Sequence, residues 1–232
     1  MPDIFYDLET EELLDPNAPD QESAIRALHF SVGASICECH GEQIYYSTAA
    51  LAEQLVQHDR IIGFNILRFD NIVLAYSGER IARAASDSAN DKTTSEKSLP
   101  DSPGELRNLL NKKSFDLLTD IEAQVGHHVS LAALAEGTLA KEKMGNAPQA
   151  VVWYRLARTL RDRWPYALSD VNDAEGAQRA AELGEWFQKR LEQYCLGDAQ
   201  LTKKIFEYGI ANRRVAFIDF ESEHRVVKVI WR

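Results

Sequence analysis

Several things are scarce in this chain of 232 residues, and each shortage removes a class of protein. Cysteine occurs three times, as Cys37, Cys39 and Cys195. A small, odd count does not suit the disulfide frameworks that hold small secreted domains together. Cys37 and Cys39 lie two apart in a strand-like segment; with no partners visible in the sequence they read as half-buried thiols rather than a zinc site. No apolar run approaches the ~20 residues that a membrane-spanning helix needs. The N-terminus carries acids where a secretory signal would place basic and then apolar residues. Both absences predict a cytoplasmic location with no membrane partner. Positive charge is also short. Lys and Arg number 26 against 36 Asp and Glu, a formal net charge of −10. That balance argues against non-specific polyanion binding as the main task, without excluding nucleic acid.

What remains is ordinary for a globular chain, with 45% hydrophobic and 27% charged residues, and it is long enough to bury a real core. Strands are predicted over residues 3–8, 27–37, 43–46 and 61–64, and a fifth strand, or a strand-to-helix turn, at 114–118. Residues 10–24 are acidic, contain Pro16 and Pro19, and read as a loop. Helices are predicted from a Ser47 or Thr48 cap to His58, and from Phe69 to Tyr76 with Gly78 as the stop. Further helices are predicted over 130–138, 149–163, 174–194 and 198–212, followed by a closing hairpin. Residues 84–104 are nearly devoid of large apolar groups and predict a mobile insertion. The pattern predicts one α/β domain over residues 1–232, a mixed five-stranded sheet with helices on both faces.

The strand Ile4-Phe5-Tyr6-Asp7-Leu8-Glu9-Thr10 carries two acids. Alternation puts Asp7 and Glu9 on the same face, where each raises the cost of ionising the other. A cation between them removes that cost, and Mg²⁺ or Mn²⁺ prefers oxygen ligands. Asp70 opens a helix just after a strand; taken alone it reads as a cap. Tyr194 and Asp198, at i and i+4, share one helix face and alone read as a surface pair. Together, Asp7, Glu9, Asp70 and Asp198 give four carboxylates and Tyr194 a phenol. Four acids converging without cations would be strongly destabilising, so their convergence implies metal.

The order DxE, N-x₃-F-D and Y-x₃-D, carried by Asp7–Glu9, Asn65–Asp70 and Tyr194–Asp198, resembles the DEDDy 3′–5′ exonucleases of the RNase H-like superfamily. The likeness is to exonucleases related to the proofreading domain of B-family DNA polymerases. It extends from about Ile4 to Trp231, with additions near residues 82–104 and a helical one near 159–183. The resemblance implies an RNase H-like fold and two divalent ions, Mg²⁺ or Mn²⁺. It implies that Asp7 bridges them, that Glu9 and Asp198 complete the site beside the attacking water, and that Asp70 supports the second ion. Tyr194 is implied to orient that water or to help deprotonate it. The implied reaction removes nucleoside monophosphates from the 3′ end of single-stranded DNA, with RNA the close alternative and a non-catalytic binding module the other.

Leu8, Thr10, Asn65 and Phe69 are the implied substrate contacts. Asn65 reads equally as a turn amide, and Phe69 as a core residue. Asp116 reads as a helix cap or a group behind the ligands. Lys141 and Lys143 read as phosphate contacts or as solvated surface. His127-His128 reads as a loop. Tyr154 and the arginines from 155 to 163 either flank a single strand or lie on a solvated helix.

Overall fold

A computed structural model describes residues 2–77, 99–162 and 174–232. Five strands form one mixed sheet: β1 (Ile4–Thr10), β2 (Phe30–Cys37), β3 (Gly41–Tyr45), β4 (Ile61–Gly63) and β5 (Ser114–Asp116). Their order is β3-β2-β1-β4-β5. The β1–β2 and β2–β3 pairs are antiparallel; β1–β4 and β4–β5 are parallel. The register between β1 and β2 shifts between Glu9 and Thr10. The predicted mixed five-stranded α/β sheet, flanked by helices, is therefore present.

Alternation along β1 assigns its two faces. Ile4, Tyr6 and Leu8 join a core with α2 (Thr48–Gln57), α3 (Asp70–Tyr76) and α4 (Pro103–Lys113). Phe5 joins a second core on the other face, made by α5 (Leu117–Val125), α6 (Leu131–Leu139) and a long helix α8 (Ala174–Asn212). Above β2, Val32 and Ala34 pack with Leu191, Tyr194 and Cys195 of α8 and Ala150 of α7 (Ala147–Asp162). Asp7 and Glu9 alternate onto the face that α8 crosses.

Gly63 ends β4 where a Cβ would lie 2.2 Å from Ile66 and 3.2 Å from the Tyr6 carbonyl oxygen. Only a residue without a side chain lets this turn close against β1. The hairpin β6 (Arg214–Ile218) and β7 (His224–Lys228) forms a separate two-stranded sheet. It is tied to α6 through Thr138 Oγ1, which donates to the Ala216 carbonyl at 2.6 Å and accepts from its N–H at 2.9 Å.

Several boundaries differ from expectation. Residues 21–26, partly inside the predicted loop, form the short helix α1 (Gln21–Arg26), capped by Asp20, whose side chain accepts from the Glu22 and Ser23 N–H groups. The chain is helical from Pro103, within the predicted insertion, because Ser102 caps that helix and Leu106 and Leu110 bury on it. The helix α5, not predicted as such, starts at Leu117 on the Asp116 cap. The two helices expected at 174–194 and 198–212 are one 39-residue helix that runs through Gly197. Gly78, most of the 84–104 insertion and residues 163–173 of the second addition lie outside the described residues. Among the described residues no helix is long and apolar enough to cross a membrane.

Candidate metal centre

Three separate elements deliver the acids. β1 supplies Asp7 and Glu9, α8 supplies Asp198, and α3 supplies Asp70 at its first turn. Carboxylate oxygens of Asp7, Glu9 and Asp198 all lie within 4.8 Å of one another. Asp70 joins them from the side: its Oδ1 accepts from the Leu8 N–H, on the β1 residue between the two acids, at 3.2 Å. Phe69 holds the cap position of α3 and makes no side-chain cap. Asp70 thus bonds to β1.

The support around Asp70 is built from amides and hydroxyls. The Tyr6 hydroxyl donates to Asn71 Oδ1, and Asn71 Nδ2 donates to Asn111 Oδ1 at 2.8 Å and Ser114 Oγ at 3.0 Å. Asp116 organises the preceding turn, accepting from the N–H groups of Asn65 at 2.9 Å and Leu67 at 3.0 Å. It also accepts from Leu118 at 3.0 Å, as the cap of α5. Asp116 therefore holds the Asn65–Asp70 loop in place.

Burial and mutual repulsion dominate the electrostatics. Asp7 is pushed well above the usual carboxylate range by burial and then by Asp198, Glu9 and Asp70. Glu9 rises for the same first reason, then through Asp198. Asp70 is raised to about 8, chiefly by burial, although the Leu8 N–H opposes the shift. Asp198 is raised by burial against the opposing pull of Lys143. Oδ2 of Asp7 is buried with no hydrogen-bond partner. An acceptor-only group buried without a donor is costly, and a cation satisfies it.

One cation is already present. Lys143, on the segment after α6, places Nζ 2.6 Å from Asp198 Oδ2 with its side chain only 19% exposed. The same ammonium lies 4.9 Å from the centre of the Tyr194 ring. In sequence Lys143 is indistinguishable from Lys141, which is exposed. No local pattern marks it, because its partner is 55 residues away in the chain and a lysine is by default a surface residue.

Tyr194 is 2% exposed and meets the ring of Trp153 edge to face, with centroids 5.9 Å apart. Its hydroxyl bonds with Asp198 and Lys143. Burial first, then the carboxylates of Glu9 and Asp198, push the phenol above its ordinary value. It stays protonated at neutral pH and can donate a hydrogen bond.

The structure thus brings Asp7, Glu9, Asp70, Tyr194 and Asp198 together. The four expected substrate contacts are placed differently from one another. Leu8 turns its side chain into the core, leaving its N–H to Asp70. Thr10 is buried and its hydroxyl donates to the Glu12 carbonyl at 2.7 Å. Asn65 sits at φ 66°, and its backbone carbonyl accepts from the Arg68 and Phe69 N–H groups. Phe69 is half-buried against the core.

His127 and His128 are exposed, with His128 Nδ1 2.9 Å from Glu122 Oε1, apart from the acids. Tyr154 and Arg158 are engaged by Glu11, just beyond the acid pair.

No protein-family model, no curated protein and no solved structure matches this chain.

Proposed function

We propose that the protein is a metal-dependent 3′–5′ exonuclease that hydrolyses phosphodiester bonds from the 3′ end of a single strand, DNA in preference to RNA. The observation that carries the reading is the meeting of Asp7, Glu9 and Asp198 within 4.8 Å, with Asp70 bonded to the strand between them. The motif order that resembles the DEDDy exonucleases supplies the reaction class, and the site chemistry is compatible with it.

The donor set fits hard divalent cations such as Mg²⁺ or Mn²⁺, being all oxygen, anionic and short of counter-charge. Asp7, Glu9, Asp70 and Asp198 would hold them. Bound there, two such ions supply charge for the attacking and leaving oxygens of a displacement at phosphorus and lower the pKa of water.

The chain's own residues do the positioning. Asp70 and the Leu8 N–H fix the depth of β1 against α3. Tyr194, kept as a phenol with its O–H on Asp198, offers an oxygen lone pair that would orient the attacking water rather than remove its proton. Lys143 balances Asp198 and holds Tyr194 in place. The net charge of −10 keeps a polyanion from binding broadly and suits engagement at one strand end.

The test is digestion of 5′-labelled single-stranded DNA and RNA with Mg²⁺, Mn²⁺ or chelator. The reading expects a ladder that shortens from the 3′ end, needs the metal, and disappears in Asp7→Asn. Faster loss of RNA would move the substrate to that polymer. Tight binding without cleavage of either polymer, under either metal, would replace the enzyme with a binding module.

A further inference from the structure

A second polar cluster lies at the other end of β1. Cys37 closes β2 beside Ile4, Cys39 and His40 form the turn into β3, and His58 follows α2 as its cap. We propose that Cys37, Cys39, His40 and His58 form a closed zinc site that staples the β2–β3 turn to α2 and to the start of the chain.

The four donor atoms lie within 4.8 Å of one another. The two sulfurs are 3.0 Å apart, and His40 Nδ1 is 3.4 Å from Cys37 Sγ and 3.1 Å from Cys39 Sγ. His58 Nε2 is 3.9 Å from Cys39 Sγ. Tetrahedral zinc, with bonds of about 2.3 Å to sulfur and 2.0–2.1 Å to nitrogen, sets its ligand atoms about 3.3–3.8 Å apart. The two sulfurs, at 3.0 Å, would part by about 0.8 Å to reach that geometry, while the His40 and His58 distances to Cys39 are each within about half an ångström of it.

The imidazoles point independently to a metal. His58 is fully buried, and its Nδ1 donates to the Pro2 carbonyl at 2.8 Å. That bond fixes the tautomer and turns the Nε2 lone pair toward the thiols, the arrangement that metal-binding histidines use. The Gln54 amide nitrogen sits 2.9 Å from His40 Nδ1 and 3.2 Å from His58 Nε2. One NH₂ group donating to both rings marks His40 Nδ1 and His58 Nε2 as the lone-pair-bearing nitrogens beside the sulfurs, and zinc would take the place of that amide. A disulfide between Cys37 and Cys39 would use the sulfurs alone and give no role to a buried imidazole aimed at them.

Two thiolates and two imidazoles select zinc over magnesium or manganese. Four protein ligands leave no open position, so the role is structural. Zn²⁺ binding forms two Zn–S and two Zn–N bonds, and the two thiol protons leave to solvent. The proposal does not rest on the nuclease reading.

The test uses the full chain, reduced, stripped of metal and then titrated with Zn²⁺ and Co²⁺. The expected result is one zinc per chain and a thiolate-to-cobalt charge-transfer band. Cys39→Ser and His40→Ala, both at exposed positions, should lose the zinc-dependent rise in Tm. Their affinity should fall by more than the ~10–100-fold that loss of a group behind a ligand costs. The band should vanish or shift in Cys39→Ser, a change that a purely structural defect would not produce in a chain that still folds. Zinc binding as tight in Cys39→Ser as in the parent would overturn the proposal. So would a reduced parent that takes up no zinc, or a Cys37–Cys39 disulfide that persists in place of metal binding.

Discussion

The two ends of β1 carry two polar clusters of opposite character. At one end Asp7, Glu9 and Asp198, with Asp70 beside them, are buried together and raise one another's pKa. At the other end two thiols and two imidazoles sit in a hydrogen-bonded group fixed by Gln54 and the Pro2 carbonyl. The first is frustrated without a cation and recruits Lys143 as a partial remedy. The second already has a hydrogen-bond partner at each of its four donor atoms. Charge repulsion costs stability and creates a demand for hard ions. Preformed soft donors cost little and wait for a soft ion. On the two proposals, the ends of one strand would take metals of different kinds.

The contrast breaks most visibly at Asp7. Asp7→Ala should lower Mg²⁺-dependent digestion on the order of 10³-fold, since metal-borne charge stabilisation is worth several kcal/mol at about 1.4 kcal/mol per tenfold. Its zinc content should not change. Retained digestion would reduce the oxygen cluster to a structural feature. Tyr194→Phe keeps the ring beside Trp153 and removes the hydroxyl. A kcat drop on the order of 10²-fold is expected, with KM and the Mn²⁺-induced rise in Tm little changed.

The pH dependence of the metal-free chain sharpens the comparison. Asp70 has a folded pKa of about 8 against an ordinary value of 3.8. Below 3.8 both folded and unfolded chains are protonated and its contribution to stability is fully present. As pH rises toward 8 the unfolded chain gives up the proton first, and the contribution is lost. Asp7, Glu9 and Asp198 act in the same direction. Carboxylates held low by partners, such as Glu22 and Asp219, act oppositely but only below their ordinary values. Urea unfolding in chelator should therefore show stability falling from about pH 5 to 8, and Mn²⁺ should flatten the slope. A slope of the opposite sign would contradict the electrostatic account.

Two smaller effects follow. Asp7→Asn removes one buried ionisable carboxyl whose charged form is disfavoured and should raise metal-free stability by roughly 0.5–2 kcal/mol while abolishing digestion. Gly197→Ala should stabilise by about 0.5–1 kcal/mol, because the helix is continuous and a methyl group there meets nothing within 4 Å. Thermal unfolding checks both.

The oxygen cluster was largely legible in the sequence because each acid sits on a local pattern. Alternation fixes Asp7 and Glu9 on one face, and i, i+4 spacing fixes Tyr194 and Asp198. The break expected near Gly197 did not occur, since a glycine's cost is small beside the packing of Cys195, Ala199 and Leu201 on the same helix. The helix at 103–113 escaped because its apolar residues are few and follow a polar stretch. Lys143 and His58 carry no local signal. They become functional candidates only when strands and helices distant in the chain bring their partners to them.

Calorimetric titration of the stripped protein with Mn²⁺, in two buffers of different ionisation enthalpy, tests the central claim most directly. The account predicts saturable Mn²⁺ binding with release of protons at pH 7, both lost in Asp198→Ala. Failure to bind Mn²⁺, or binding that survives Asp198→Ala with no proton release, would contradict it.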